Sequence, residues 1–517
     1  MTLENLVCRS SSQVVSWANT AIETVQLDIV NCHMEGAVQP VTFTGGRYFV
    51  LNMVDSDFVS NTASQGAVLF VSNVGGYTFT WNATNCHFKN NQATLGSVAW
   101  ISPAGMNTDA ATINLNFKDV VSDGTLTQGE FMGVSQTPSS NVNIRLDNFT
   151  LTDGHGLLRY RHSTATQFNL TIADSVFDSN NITLINLIQA SDKEDGEMTI
   201  LLRHSQFTYL SSAVNGSVLS LSGNNNCKLY VTAINNTFEH NTALLSNGGV
   251  MSVFVGTGYN LTFDVHQNKF TNNSAVNGGG FSFAVAAGQL DFKSNNNDYD
   301  GNVASQNGGL LFLDCVGTCG NYAILDTDTI QYNIANADGA LLNFVDNGAN
   351  STESVKLYNN NLKHNRATYG GLVMLNTTQT VSTTTQILDM MNNDVWNNSV
   401  TTYGGVACIF AVGDATQRIN ITKNQFHGNT AELGAVLYNV AFGTQHLNVV
   451  GNTIRDSNSM GAVYAYISSA NFENNVWINN TAKELDHGSN VFINLMATTE
   501  MTIRNETSRN NSGLSSW

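Results

Sequence analysis

Short runs of alternating apolar and polar residues recur along the chain, separated by clusters of Asn and Gly. Clear examples are Tyr48–Val54 and the segments 261–265 and 419–422. No stretch has the 3.6-residue apolar spacing of an amphipathic helix, whereas alternation between Asn and Gly clusters is typical of strands. The pattern therefore predicts an all-β chain of short strands joined by turns.

These strands belong to an internal repeat of about thirty residues, Phe-x-x-Asn-x-Ala-x-x-Gly-Gly followed by an apolar run. Good copies begin at Phe58, Phe88 and Phe270, and a weak copy lies near Phe149. The further copies have at their leading position Phe117, Phe177, Phe207, Phe238, Tyr299, Ile330, Leu362, Val395, Phe426 and Ile454. Repetition at this period predicts stacked units, and since each unit is made of strands, the fold is predicted to be a parallel β-helix of about fifteen or sixteen coils.

Stacked coils place equivalent residues above one another at roughly 4.8 Å, so each position of the repeat becomes a column. We expect an inward column of aromatic and aliphatic side chains at Phe58, Phe88, Phe177, Phe238, Phe270 and Phe426. A column of amides is expected at Asn61, Asn91, Asn241, Asn273, Asn302, Asn365 and Asn429. Asn suits this position because it tolerates left-handed turns and because its amide both donates and accepts hydrogen bonds between coils.

The length of 517 residues would ordinarily indicate several domains, but no Pro-rich, Ser-rich or charged linker interrupts the repeats. We therefore predict a single continuous domain over residues 1–517, as a segment of a longer secreted or surface protein. Loops are expected at 106–111 and 191–197, where the repeat is weakest.

Composition narrows the possible partners. Only 12% of residues are charged and the formal net charge is -18, so the surface lacks the basic face that nucleic acid requires. No apolar run of 18 or more residues occurs, so no transmembrane segment is predicted. No cofactor is predicted, and no CxxC or HxxxH pair indicates a metal.

Cysteine usage indicates one local crosslink. The chain has 7 cysteines, scattered except for Cys315 and Cys319, whose short separation suits a loop-closing disulfide in an oxidising compartment.

The sequence also contains Asn-x-Ser/Thr motifs for N-glycosylation. These possible sites are Asn82, Asn148, Asn169, Asn181, Asn215, Asn235, Asn260, Asn272, Asn350, Asn376, Asn397, Asn420, Asn479, Asn505 and Asn510. Because Asn, Ser and Thr are abundant, chance alone would produce about this many. Several fall at predicted turns, where a glycan would be exposed.

The repeated Phe-x-x-Asn-x-Ala-x-x-Gly-Gly motif resembles the repeats of chlamydial polymorphic outer membrane proteins and of related pectin-lyase-like β-helix surface proteins. The resemblance extends over nearly the whole chain. It implies a right-handed parallel β-helix located at the cell surface or outside the cell, with a structural or adhesive function. Expected partners are other copies, neighbouring domains of the same protein, glycans or cell-surface molecules.

Polysaccharide lyases and hydrolases share this fold, so an enzyme is the main alternative. Asn107-Thr108-Asp109 and Gly154-His155-Gly156 resemble two short polygalacturonase motifs, in which aspartates act as general acid and base and a histidine assists. The adjacent aspartates expected between them are missing, however, and 159–161 replaces the expected Arg-x-Lys. We therefore predict that the chain is not an enzyme and assign no catalytic residue.

A second alternative is a non-catalytic glycan-binding solenoid, in which exposed Trp and Tyr rings would stack on sugars. Trp100, Trp396 and Trp477 lie in or near strands, and we expect them to pack in the core. The acidic pair Asp326 and Asp328 is expected to be a solvated strand edge.

Overall fold

The computed structural model describes the chain except for residues 11, 19–23, 46, 73–77, 103–110, 125–129, 138–140, 153–155, 163–166, 179–187, 195, 349, 378–382, 413, 442, 484–487 and 513–517. Every regular element among the described residues is a β-strand. The strands form a parallel β-solenoid of about 15 turns with roughly 30 residues per turn. The predicted all-β parallel β-helix is thus confirmed.

Two compact units make up the solenoid. The first, unit 1, comprises Met1–Leu244 and Val250–Asn260, and the second, unit 2, comprises Leu245–Gly249 and Leu261–Trp517.

Each coil contains a first, a second and a third strand, and the second is often followed by a short extension. The first strands are Thr2–Glu4, Thr24–Val30, Tyr48–Val54, Thr78–Thr84, Gln167–Ala173, Glu197–Arg203, Lys228–Ile234, Cys319–Asp326, Thr352–Tyr358, Thr385–Met391, Thr416–Thr422 and Thr444–Val450. The second strands are Val7–Arg9, His33–Glu35, Asp57–Val59, His87–Lys89, Val176–Asp178, Gln206–Thr208, Thr237–Glu239, Lys269–Thr271, Asp298–Asp300, Thr329–Gln331, Asn361–Lys363, Asp394–Trp396, Gln425–His427, Thr453–Arg455, Val476–Ile478 and Thr507–Arg509.

The extensions are Thr62–Gln65, Gln92–Leu95, Ser211–Ser212, Thr242–Ala243, Ser274–Ala275, Val303–Ala304, Ile334–Ala335, Arg366–Ala367, Ser399–Val400, Thr430–Leu433 and Asn458–Met460. The third strands are Val15–Ala18, Val41–Thr44, Leu69–Ser72, Ala99–Ser102, Met132–Thr137, Leu158–His162, Ile188–Glu194, Leu219–Asn225, Leu311–Cys315, Leu342–Asp346, Val373–Thr377, Ala407–Ala411 and Leu437–Ala441. Some strands run through a corner and serve two positions, namely Thr112–Asp123, Asn141–Thr152, Met251–His266, Phe281–Asn295, Val463–Glu473 and Val491–Arg504.

Alternation along each strand produces the core. Tyr48–Val54 pairs in parallel with Thr78–Thr84, so that Phe49 lies opposite Phe79 and Leu51 opposite Trp81. These four side chains are buried, while the residues between them face outward. Complete burial of such a side chain contributes about 1.5–3 kcal/mol, and repetition in every coil makes the core continuous within each unit.

Leading aromatic residues stack in the core. Phe58 lies 5.2 Å from Phe88 with the rings 12° apart, and Phe270 lies 5.0 Å from Tyr299 at 18°. The leading residues placed inward and fully buried are Phe58, Phe88, Phe177, Phe207, Phe238, Phe270, Tyr299, Ile330, Leu362, Val395, Phe426 and Ile454. Offset stacking adds about 0.5–1.5 kcal/mol per pair to the burial term.

The assignment of Phe117 to this column is wrong. Phe117 pairs with Ala83 in the first-strand column, and Ser122 lies opposite Phe88 in the leading column. The Phe117 ring packs 4.8 Å from Trp81, so it fills core space from a neighbouring column. Aromatic spacing alone could not separate these two columns.

The loop expected at 191–197 is also wrong in part. Residues 191–194 continue the strand Ile188–Glu194, and Glu197 begins the strand Glu197–Arg203. Ile188–Glu194 pairs in parallel with Leu219–Asn225, and this pairing continues through Glu194 opposite Asn225. The acidic composition had indicated a loop, but the backbone hydrogen bonds of the neighbouring coil maintain the strand.

Candidate functional site

The repeated Asn of the motif forms a buried column that we call the first amide ladder. Its members are Asn61, Asn91 and Asn241 in unit 1 and Asn273, Asn302, Asn333, Asn365, Asn398 and Asn429 in unit 2, all 0% exposed. In a typical step, the backbone N and the Nδ2 atom of Asn302 both donate to Oδ1 of Asn333, each at 2.9 Å. Nδ2 of Asn302 also donates to the carbonyl oxygen of Phe270 at 2.9 Å. An amide is required here because the side chain must accept from one coil and donate to another.

The left-handed turn that we attributed to the ladder Asn belongs to the residue before it. Ser60, Asn90 and Asn272 have φ of 53°, 51° and 53°, whereas the ladder residues after them do not have positive φ. The sequence-based explanation of the ladder is therefore wrong in this respect. The ladder Asn provides the hydrogen bonds between coils, and the residue preceding it makes the turn.

A second amide ladder lies five residues before the first, and the sequence analysis missed it. In unit 2 its members are Asn268, Asn297, Asp328, Asn360, Asn393, Asn424, Asn452 and Asn475. Asn360 N and Nδ2 donate to Asn393 Oδ1 at 2.9 and 3.1 Å, which is the same pattern as in the first ladder. In unit 1, Ser175, Ser205 and Asn236 take this position. The signal in the sequence was a polar residue two positions before each leading apolar residue.

Asp328 interrupts the second ladder with a carboxyl group. Its Oδ1 accepts from the backbone N of Asn297 at 2.7 Å, and its Oδ2 accepts from the Ser294 hydroxyl at 2.6 Å. Asp328 is 1% exposed, and burial raises the pKa of its carboxyl from 3.8 to about 7. The expectation of a solvated edge is therefore wrong for Asp328, because its side chain points inward from the turn.

A third buried polar column begins at the start of the first strands in unit 2, where Thr-Gln or Thr-Glu recurs. Glu353, Gln386, Gln417 and Gln445 succeed one another in register. Gln386 Nε2 donates to Glu353 Oε2 at 3.0 Å, and Gln417 Nε2 donates to Gln386 Oε1 at 2.8 Å. Desolvation, reinforced by the nearby Asp346 carboxyl, raises the pKa of Glu353 well above its ordinary value. Polar residues at positions where alternation requires apolar ones were the signal for this column.

Cys315 and Cys319 lie at the same corner of the coil and form a disulfide bond with a Cα–Cα distance of 6.4 Å. The crosslink closes the turn between the third strand Leu311–Cys315 and the first strand Cys319–Asp326. Both cysteines are buried. The remaining five, Cys8, Cys32, Cys86, Cys227 and Cys408, are not part of a disulfide bond.

A ladder of partly exposed aromatic rings in unit 2 is formed by Tyr438, Tyr464 and Phe492 on three successive third strands and by Tyr403, which lies in the corner before the third strand Ala407–Ala411. Tyr403, Tyr438, Tyr464 and Phe492 stack in sequence, with centroid distances of 4.6, 5.3 and 4.5 Å and interplanar angles of 14°, 18° and 10°. Their planes are nearly parallel, so neighbouring ring faces cover one another. Partial burial raises the pKa of Tyr464 to about 12.

The three tryptophans considered as sugar platforms are placed differently from one another. Trp477 is fully buried and its Nε1 donates to Glu506 Oε2 at 2.6 Å, and Trp100 is also buried. Trp396 is partly exposed, with its ring 4.6 Å from His427 and Lys363 Nζ 5.7 Å from its centroid. Trp100 and Trp477 thus pack in the core, whereas Trp396 lies between the side chains of His427 and Lys363.

The residues that resemble a polygalacturonase motif, Asn107, Asp109 and His155, lie outside the described residues. Glu130, which lies between these motifs in the sequence, is 1% exposed, and its Oε2 lies 3.6 Å from Arg159 Nε. Burial raises the pKa of Glu130, although Arg159 opposes this shift.

The N-glycosylation motifs fall into separate structural classes. Left-handed turn residues are Asn148, Asn235, Asn272, Asn350, Asn397, Asn479, Asn505 and Asn510. Strand residues are Asn82, Asn169, Asn260, Asn376 and Asn420. Asn215 lies in a bend, and Asn181 lies outside the described residues.

Within the described part of the chain, no group of three or more His, Cys, Asp or Glu side chains is placed to hold a metal ion, and no helix is long and apolar enough to span a membrane. Comparison with known proteins found no matching family model, no matching curated protein and no matching solved structure.

Proposed function

We propose that this chain is a non-catalytic structural or adhesive solenoid that functions outside the cell or at its surface. The observation that supports this proposal is that the repeated polar side chains form their hydrogen bonds inside the fold. The amides of the first and second ladders bond to adjacent coils in unit 2, from Asn273 to Asn429 and from Asn268 to Asn475. A motif whose polar atoms are used inside the fold serves to build a scaffold, since such atoms have no capacity left for a substrate.

The outer surface supports the same proposal. In unit 1, Asn82 Nδ2 donates to Asn52 Oδ1 and Asn116 Nδ2 donates to Asn82 Oδ1, each at 2.9 Å. These three amides repeat at the spacing of the coils, and the same row continues to Asp28 on one side and to Arg145 on the other. A regular array of amides suits many weak contacts with a repetitive surface, which is how an adhesive solenoid would act.

The aromatic ladder of unit 2 disfavours the glycan-binding alternative in its usual form. Sugars stack on exposed ring faces, but Tyr438 and Tyr464 each have a stacked ring on both faces. The ladder therefore stabilises the third-strand sheet in the way that the buried aromatic column stabilises the core.

The test is an adhesion assay combined with a degradation assay on the same purified full chain. Beads coated with folded chain are expected to attach to cells or extracellular matrix more strongly than beads coated with chain unfolded in urea. Incubation with polygalacturonate and other acidic polysaccharides is expected to release no new reducing ends. Release that disappears in Asp109→Asn or His155→Ala would overturn the proposal in favour of the enzyme.

A further inference from the structure

Two of the N-glycosylation motifs occupy equivalent corners of unit 2. Asn272 and Asn397 each begin an Asn-Asn-Ser sequence, and the second Asn of each belongs to the first amide ladder. Both have left-handed φ, of 53° and 49°, and both are exposed. Their backbone N atoms donate to the following coil, at Asp300 and His427, each at 2.9 Å. The two asparagines thus share sequence, conformation and position.

A glycine on the following coil gives each of these side chains room. A Cβ atom added at Gly301 would lie 2.5 Å from Asn272 Oδ1, and one added at Gly428 would lie 2.2 Å from Asn397 Oδ1. The carboxamide oxygen therefore rests on the glycine, a position that any other residue would obstruct. No described residue forms a hydrogen bond with the Nδ2 atom of Asn272 or of Asn397. Nδ2, the atom to which an N-linked glycan attaches, is thus exposed and uncommitted.

The strand-face motifs lack this combination. Asn82 and Asn420 lie on strand faces, are partly buried, and donate from Nδ2 to Asn52 at 2.9 Å and to Asp389 at 2.5 Å. Even at a corner, Nδ2 of Asn479 donates to the Asp456 carboxylate at 3.1 Å. A bulky branch at these atoms would compete with a contact between coils.

We propose that Asn272 and Asn397 carry N-linked oligosaccharides and that the strand-face motifs do not. Attachment forms a bond from Nδ2 to the anomeric carbon of an oligosaccharide donated by a lipid pyrophosphate. The bond from that carbon to the phosphate oxygen breaks, the lipid pyrophosphate leaves, and Nδ2 loses one proton to the transferase. The proposal rests on the extracellular location in the proposed function.

The two glycans would project from one corner of unit 2. Between Asn272 and Asn397, the same corner has Gly301, Tyr332 and His364, all with left-handed φ. The two asparagines are four coils apart, which corresponds to roughly 19 Å at the strand spacing. The rings of Tyr332 and His364 stack at 5.1 Å between them. Glycans on this corner would restrict lateral packing of other copies along it.

The test is site-by-site glycan occupancy of the full chain, secreted from a eukaryotic host behind a cleavable signal. Enzymatic deglycosylation in heavy-oxygen water, followed by peptide mass spectrometry, measures the glycan occupancy at each asparagine. Asn272 and Asn397 are expected to be occupied in most molecules, and Asn82 and Asn420 at least tenfold less often. Ser399→Ala should abolish occupancy at Asn397 and leave Asn272 unchanged. Occupancy of Asn82 and Asn420 equal to that of the corner sites would overturn the proposal, as would empty corner sites.

A variant that gains a glycosylation motif at an equivalent corner provides the matched control. Asn90 has the same backbone conformation, with φ of 51°, and the same glycine neighbour. A Cβ atom added at Gly124 of the next coil would lie 2.2 Å from Asn90 Oδ1. Gln92→Thr creates Asn-Asn-Thr there, and Thr62 already stands at the equivalent position of the preceding coil. Occupancy at Asn90 is expected to approach that at Asn272. Occupied corners in a chain that does not adhere would leave this inference intact and remove the proposed function, while adhesion with empty corners would do the reverse.

Discussion

Asp328 provides the most quantitative test of the ladder architecture. Well below pH 3.8 its carboxyl is protonated in both the folded and the unfolded chain, so it does not destabilise the fold. As the pH rises, the unfolded chain loses the proton near 3.8, while the folded chain keeps it until about 7. The folded state therefore binds more protons in this window, and stability falls as the pH rises through it. A difference from 3.8 to about 7 corresponds to about 4 kcal/mol at about 1.4 kcal/mol per pH unit.

Asp328→Asn is expected to remove this loss of stability at high pH and to add a hydrogen-bond donor to the ladder. In the normal ladder, Asn360 Nδ2 donates to Asn393 Oδ1 at 3.1 Å, whereas ionised Asp328 has no side-chain proton to donate to Asn360. The new amide would supply such a hydrogen bond, worth about 1 kcal/mol. The Ser294 hydroxyl, which now donates to Asp328, can turn to Tyr299, whose hydroxyl oxygen lies 2.8 Å away.

The assay is urea denaturation at pH 5 and pH 8, combined with hydrogen exchange of peptides covering 294–300 and 325–331. The variant should gain up to about 4 kcal/mol relative to wild type at pH 8 and much less at pH 5. Asn360→Asp, which places a carboxyl one rung further along, is the matched control and should lose stability at pH 8. Identical pH dependence in wild type and Asp328→Asn would refute the reasoning, because it would mean that Asp328 is not held neutral by the ladder.

Further predictions follow from the corners and from the third column. Glu353→Gln should stabilise unit 2 relative to wild type, and this gain should be larger at pH 8 than at pH 5. The reason is that burial raises the pKa of Glu353, so that its ionisation at higher pH opposes folding. Urea midpoints of both proteins at both pH values measure the gain. Gly339→Ala should lower the free energy of unfolding by more than about 2 kcal/mol, because φ is 60° and the new Cβ would lie 2.0 Å from Leu342 O. Gly320→Ala is the control, since its nearest contact would be at 3.4 Å, and it should melt at the wild-type temperature in calorimetry. Replacing Cys315 and Cys319 by Ser should lower stability by about 2 kcal/mol in non-reducing urea titrations, because the closed loop is short, and a loss below about 0.5 kcal/mol would contradict the entropic argument.

The strand content and the solenoid were predictable because they depend on periodicity, which a single sequence displays directly. The motif at Phe58 and Asn61 specifies one strand and one corner, and its recurrence specifies stacking. The second amide ladder was not recognised because Ser, Cys and Asp replace Asn in several coils, as at Ser56 and Asp328. These residues share a hydrogen-bonding role without sharing a side-chain type, and only the three-dimensional column shows what they have in common.

Phe117 and Asp328 illustrate why individual positions were harder to predict than the fold. An aromatic residue can fill the core from any inward column, so Phe117 satisfies packing without occupying the leading position. An acidic residue is usually solvated, but at Asp328 the corner directs the side chain inward regardless of its charge. In both cases, the backbone of the adjacent coils determines the direction of the side chain, and that direction is not encoded locally.

The amide ladders also have a direction, comparable to the macrodipole of an α-helix. In unit 2, every step of the second ladder donates toward higher residue numbers, from Asn268 to Asn297 and onward to Asn475. The last amide donates to Glu506 Oε1 from its N and Nδ2 at 3.1 and 3.0 Å. A carboxylate only accepts, so the Glu506 side chain receives both donors of Asn475 without having to donate a proton in return. At Asp328 the direction of the series is preserved through the backbone, because Asp328 N donates to Asn360 Oδ1 at 2.8 Å even though its side chain accepts from Asn297. The ladder therefore tolerates a carboxyl as an acceptor, and its polarity depends on the backbone N atoms as well as on the amides.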